Sequence, residues 1–255
     1  MPQKRVLITA GAGGIGLKIA EAFVRDGAWV GICDANSEAV ANVANAHPDW
    51  LAMAVDVSDP AALAAWFAAA EIKSRGLDVL VNNAGIAGPI GPVESLDYAD
   101  WRQCLAVGLD AQFLAAQHAV PVMKQQRSGA IINISSTSGL HGVGLRSPYV
   151  AAKWGVIGFT KSLAIELGGF NIRVNAVCPG TVAGDRIERI VAAEAENRGL
   201  TADQVRAEYV GGQSIKRLVS PDEIADLCVF LGSDKAKMVS GQAIAVDGHS
   251  ETFHM

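Results

Sequence analysis

The hexapeptide Gly11-Ala12-Gly13-Gly14-Ile15-Gly16 decides how this chain folds. It follows the β-branched run Arg5–Thr9 and leads into residues 15–25, whose apolar positions recur at helical spacing, with Gly27 at the expected close. A G-x-G-x-x-G turn between a strand and a helix predicts a dinucleotide site. Small residues let the backbone approach a pyrophosphate, and the helix start offers free N–H groups and a positive dipole. The bare spacing also describes an ordinary tight turn. The strand–turn–helix context and Asp34 at the end of the next strand select the dinucleotide reading. The Asp34 carboxylate would accept hydrogen bonds from adenosine ribose hydroxyls and repel a 2′-phosphate. No lysine or arginine stands near it to hold such a phosphate, so NAD is expected over NADP. Capping the helical segment near Ser37 is the other reading of Asp34.

Outward from this turn, strand-like runs at 29–33, 51–55, 79–81, 130–134, 173–177 and 243–246 alternate with helical stretches. One such stretch spans 149–166, before Gly168-Gly169, and another starts at Pro221 with Asp222 and Glu223 near its positive end. This alternation predicts an α/β fold: one Rossmann-type doubly wound domain over residues 1–255, its seven-stranded parallel sheet flanked by helices on both faces. The glycine- and proline-rich residues 85–92 follow a strand directly, where ligand-binding loops of open sheets belong.

Composition excludes several functions. Half the residues are apolar and only 18% are charged, which argues against disorder. A net charge of −5 leaves no basic footprint for nucleic acid or a membrane surface. The alanine-rich segment 61–70 is too short to cross a bilayer. Cys33, Cys104, Cys178 and Cys228 form no C-x-x-C pair, and the five histidines form no H-E-x-x-H, so neither disulfides nor a metal site is expected. Met1 to Arg5 carries no leader-like hydrophobic run, and a cytoplasmic setting is expected.

A second constellation carries proton chemistry. Tyr149 and Lys153, four residues apart, share one face of a helix, and Ser136 stands upstream at a strand end. An ammonium beside a phenol favours its ionised form. In alcohol oxidation Tyr149 would take the hydroxyl proton, and in reduction it would return it. Ser136 would hydrogen-bond the substrate oxygen and fix its distance from Tyr149.

Over nearly its whole length the chain resembles the short-chain dehydrogenases/reductases. Thr9 through Gly16 is similar to that family's T-G-x-x-x-G-x-G turn, Asp56-Val57 to its adenine-contacting pair, and Asn82-Asn83-Ala84-Gly85 to its N-N-A-G segment. Ser136, Tyr149 and Lys153 fall where the family keeps its catalytic residues. Pro179-Gly180, with Val182 beyond, looks like its turn over the nicotinamide. The resemblance implies a cofactor site of Gly11, Gly13, Gly14, Ile15, Gly16, Asp34, Asp56, Val57, Asn83, Ala84, Gly85, Tyr149, Lys153, Pro179, Gly180 and Val182. It also implies a homotetramer, with the Tyr149 helix and the one near residues 101–120 at an interface. Four positions depart from the pattern. Ala10 replaces a glycine and fits only with negative φ. Gly108 stands where an asparagine usually helps to hold a water on a proton relay to the lysine. Gly184 replaces a threonine, and His249 a glycine.

For a small-molecule substrate, His141, Arg146, Arg186 and Arg189 are the candidate contacts, the last two in a segment, 183–212, expected to form a covering lid. Arginine there suits a carboxylate, sulfonate or phosphate. Surface pairing with Asp185, Glu188 or Glu194 is the alternative for the lid arginines. The leading expectation is an NAD-dependent oxidoreductase acting on a secondary alcohol or ketone, a small polar compound of anionic or sugar-like kind. An NADPH-linked 3-oxoacyl reductase and a catalytically silent NAD-binding sensor remain the alternatives.

Overall fold

The computed structural model describes residues 3–250 and arranges them around a seven-stranded sheet in the order β3-β2-β1-β4-β5-β6-β7, every pairing parallel. The strands are β1 (Arg5–Thr9), β2 (Trp29–Asp34), β3 (Leu51–Ala54), β4 (Val79–Asn82), β5 (Gly129–Ile134), β6 (Ile172–Pro179) and β7 (Ala243–Val246). The helices are α1 (Gly14–Arg25), α2 (Ser37–Ala46), α3 (Pro60–Ser74), α4 (Tyr98–Leu105), α5 (Ala111–Gln126), α6 (Ser147–Leu167), α7 (Asp185–Arg198), α8 (Ala202–Gly211) and α9 (Pro221–Leu231). All seven expected strands are present, and their bounds differ by at most two residues at either end.

Side-chain alternation along the strands builds two cores, one on each face. Val6 and Ile8 of β1 pack with Ile19 and Phe23 of α1 and Ile224 and Leu231 of α9. Leu7, between them, faces the other way, into a core with Leu63 and Trp66 of α3, Ala115 and Met123 of α5 and Leu163 of α6. The helix termini are chemically marked. Ser220 and Glu223 form a reciprocal capping box at the start of α9, and Gly27, with φ of 85°, follows the C-cap residue Asp26 of α1.

Strand order positions the site. The chain winds from β1 out to β3, then crosses back to β4 on the other side of β1. The connections therefore diverge above the carboxyl ends of β1 and β4, and such a switch point opens the ligand crevice of a doubly wound sheet. Residues 183–212 fold into the α7–α8 hairpin. It has its own small core of Ile187, Val191, Ala195 and Val205, and Arg198–Glu208 and Arg206–Glu188 ion pairs. Among the described residues no helix is long and apolar enough to cross a membrane.

Candidate active site

At the switch point the glycine turn is held by the neighbouring strands. Gly11 N–H donates to Cys33 O at 3.0 Å, and Ala12 N–H donates to the Asp34 carboxylate at 3.2 Å. The second Asp34 oxygen accepts from Asn36 N–H at 3.0 Å, and Asn36, not Asp34, caps α2. Asp34 thus ties the turn to the end of β2. A Cβ on Gly16 would run into Ala10 O and the Asn83 amide, whereas one on Gly13 would meet nothing within 4 Å. Gly16 therefore serves close packing, and Gly13 leaves the backbone open to an approaching pyrophosphate.

Ala10 does not keep the negative φ expected of it. Its φ is 50°, in the left-handed region that costs a non-glycine residue about 1–2 kcal/mol. Long-range bonds over-determine this conformation. The Asn83 side-chain amide donates to Thr9 O at 3.1 Å and Ala10 O at 2.9 Å, while Thr9 Oγ1 accepts from the Asn83 and Ala84 N–H groups. The Asn83-Ala84-Gly85 segment after β4 is thereby riveted to the turn after β1.

Tyr149 and Lys153 of α6 lie beside this crevice, and Ser136 stands just past the end of β5. Lys153 is only 4% exposed, and its ammonium donates to Ile134 O at 2.9 Å. It lies 5.7 Å from the centroid of the Tyr149 ring, and a Cβ on Gly85 would come within 3.2 Å of it. Ser136, buried, follows β5, and its hydroxyl accepts from Ser138 N–H at 3.1 Å. Its neighbour Ser135 turns away and donates to Lys153 O at 2.8 Å, which locks β5 to α6. Thr137 Oγ1 donates to Pro179 O, bringing the Pro179-Gly180 turn to the same edge. Gly180 packs so closely on Asp247 that a Cβ would meet Asp247 Cβ at 2.8 Å. Asp56 is exposed and bonded to Ser58, Val57 is buried, and Val182 bridges to Val219. These residues could hold a dinucleotide: the open backbone at Gly13 and the recessed ammonium of Lys153, one donor already bound, fit its phosphates and ribose hydroxyls.

Arg146 supplies a second cation. Its guanidinium carbon lies 4.9 Å from the Tyr149 ring centroid, its Nη2 donates to Ala87 O at 3.3 Å, and its buried Nε has no partner. Leu145, just before it, has φ of 60°, in the left-handed region, and its carbonyl accepts from Gly91 N–H at 3.0 Å. His141 lies in the same loop, where its carbonyl accepts from the Trp154 indole. Arg186 lies in α7, its side chain outside the described residues. Arg189 bonds Asp185 O on its own helix, while Glu188 and Glu194 pair with Arg206 and Arg198 within the hairpin.

Three residues around Lys153 and Arg146 carry no motif. Cys104 on α4 packs where a Cβ on Gly88 would fall; burial pushes its thiol up, while Lys153 and Arg146 pull it down. Tyr209 on α8 donates to Glu194, and burial, then that bond, push its phenol up to about 12. Gln112 on α5, 1% exposed, points at Gly108 O and Ile134 O. Only Gln112 leaves a trace in the sequence: it is a polar residue within the apolar stripe Ala111, Ala115, Ala116 and Ala119.

A family model described as enoyl-(acyl carrier protein) reductase, within the short-chain dehydrogenase/reductase family, matches residues 10–248. The chain is 39% identical over 250 residues to a cis-4-hydroxycyclohexanecarboxylate dehydrogenase of Sinomonas cyclohexanicum, covering 96% of each protein. It is 36% identical over 251 residues to a D-beta-hydroxybutyrate dehydrogenase of Cupriavidus necator, again covering 96% of each. The crystal structure of NAD+-bound xylitol dehydrogenase superposes with a TM-score of 0.89 at 25% identity, over 96% of this chain and 98% of that one.

Proposed function

The chain belongs to the short-chain dehydrogenases/reductases, and from that premise we propose that it is an NAD-dependent oxidoreductase interconverting a secondary alcohol and a ketone, with Tyr149 as general acid/base. One observation supports the reading: the buried Lys153 ammonium lies 5.7 Å from the Tyr149 ring and packs on Gly85, whose segment Asn83 bonds to the turn after β1, at the crevice of a doubly wound sheet. When bound, the nicotinamide accepts hydride from the carbinol carbon or returns it to the ketone. The rest is done by this chain's own groups. Ser136 Oγ donates to the substrate oxygen and holds it against Tyr149. The Tyr149 hydroxyl takes or gives that oxygen's proton. Lys153 keeps positive charge beside the phenol and offers its remaining N–H donors to ribose hydroxyls. Asp34 favours NAD because its carboxylate repels a 2′-phosphate.

The substrate we infer is a small hydroxy compound with a negative charge. Arg146 supports this, because its guanidinium lies over the Tyr149 ring with Nη2 on Ala87 O and further N–H donors left for a planar anion. Two of the relatives are named for hydroxy acids, a hydroxybutyrate and a hydroxycyclohexanecarboxylate. A second reading, a catalytically silent NAD-binding protein, is favoured by the left-handed Ala10 in the glycine turn. A screen for NADH and NADPH production over hydroxy acids, polyols and sulfonates, with Tyr149→Phe as control, separates the readings. We expect turnover with NAD on a hydroxy acid, reduced roughly 10²- to 10⁴-fold in the variant. NADH binding without turnover across the panel would replace the enzyme by the sensor.

A further inference from the structure

Behind Lys153 lies a buried polar cluster that no catalytic motif includes. It begins at Ile134 O, the acceptor of the lysine ammonium. The Gln112 side chain reaches the same oxygen at 3.5 Å and Gly108 O at 3.4 Å, contacts at the outer limit of hydrogen bonding. Both partners are carbonyls, so the nitrogen of the amide must face them and Gln112 Oε1 must face elsewhere. That oxygen is buried and has no protein partner. Asn82, at the end of β4, has the same defect. Its Nδ2 donates to Asn133, whose own amide donates to Thr160, while Asn82 Oδ1 is buried and unpaired. Leu80, two residues before Asn82, and Ile131, two before Asn133, both line the core under α5 and α6. Asn82 and Asn133 therefore face the layer from which Gln112 and Lys153 approach.

The backbone at Gly108 is unusual as well. Between α4 and α5 the helix widens into a π turn over Ala106–Asp110, a feature frequent at functional sites. Gly108 lies in that turn and packs on α6, since a Cβ there would stand 3.2 Å from Ala152 Cβ, next to Lys153. With no side chain at 108, the amide that reaches the Gly108 carbonyl, and Ile134 O beside Lys153, comes from the following helical turn, at Gln112.

We propose that Gln112, with one buried water on its Oε1, is the positioning residue for Lys153, acting through the Ile134 carbonyl that both side chains share. A water donates two hydrogens and suits an unpaired acceptor in a polar site. The amide N–H steadies the Ile134 and Gly108 carbonyls, and Ile134 O in turn fixes the ammonium beside Tyr149. A polar group retained at a cost in stability is explained by this service; packing alone would favour leucine.

The inference rests on the proposed enzyme for its kinetics but not for its structural test. A high-resolution crystal structure of the unliganded chain should show Gln112 Nε2 on Ile134 O and an ordered water on Oε1. An Oε1 bonded to a protein donor away from the Lys153 side overturns the idea whether or not the chain is an enzyme. In solution, Gln112→Leu should keep or raise the melting temperature, yet weaken NADH binding several-fold and lower kcat by roughly ten- to a hundredfold. Its loss should vary with pH, because the group displaced is the ammonium that serves the proton transfer at Tyr149. Adding Gly108→Asn to Gln112→Leu, which returns an amide one turn earlier, should recover part of the rate. A leucine variant with parental turnover and NADH affinity, or a loss equal at every pH, refutes the assignment.

Discussion

At the scale of single residues, charge and strain concentrate where the carboxyl ends of β1, β4 and β5 meet. Two cations attend the ring of Tyr149, Lys153 at 5.7 Å and Arg146 at 4.9 Å, and only Lys153 is marked by its spacing from the tyrosine. Arg146 is a substrate candidate in the sequence from its loop position alone. Its bond to Ala87 O, 59 residues away, is what aims it. If it reads an anion, Arg146→Ala should raise KM for the best hydroxy acid roughly ten- to a hundredfold, about 1.5–3 kcal/mol, with a smaller change in kcat. An unchanged KM would remove the anionic substrate. Ala10 offers a stability test. Glycine there relieves about 1–2 kcal/mol of left-handed strain but adds about 0.5–1 kcal/mol of unfolded-chain entropy. Relief of strain outweighs the added entropy, so Ala10→Gly should raise the melting temperature by about 1–3 °C. A lower melting temperature would mean that Asn83 and Thr9 had already relaxed the strain.

At the scale of elements, the α7–α8 hairpin stands apart because its core of four buried side chains is its own. We propose that it covers the substrate as one body, turning at Gly184, whose φ of 142° only glycine adopts readily, and at Gly211-Gly212. Tyr209 links the hairpin's two helices through Glu194, and that link depends on pH. An unfolded tyrosine loses its proton near pH 10, whereas the folded phenol holds it to about 12. The folded pKa is the higher one, so this contribution is complete below about pH 10 and is lost as pH rises toward 12. Thermal midpoints measured across that window should fall less steeply for Tyr209→Phe than for the parent chain. Equal slopes would show that the phenol is not held as the geometry implies. The start of α9 was legible in the sequence as Pro221, Asp222 and Glu223, because such signals are local; the Ser220–Glu223 capping box there is a finding of the structure.

At the scale of the whole molecule, a groove of about 540 Å³ lies away from Ser136, Tyr149 and Lys153. It runs over the outer face of α5 and α6, lined by Leu109, Phe113, Leu114, Gly155 and Phe159. Phe113 and Trp154 are each 51% exposed and Ile165 is 84% exposed, so these helices present an apolar face to solvent. We propose that this face packs against a second copy in the homotetramer that family membership suggests. Phe113→Asp should then shift sedimentation toward smaller species; a monomeric parent chain would end the proposal. What the sequence determined by itself was whatever repeats or sits close along the chain: the glycine turn, the seven strands, the helical stretches at 15–25 and 149–166, the helix start at Pro221 and the Tyr149–Lys153 pair. Each follows from steric and dipolar rules acting over a few residues. Only the tertiary structure decided the left-handed Ala10, the inward Arg146 and the Gln112 cluster. Their partners lie 73, 59 and 22 residues away, and contacts at such separations leave no period in the sequence to read.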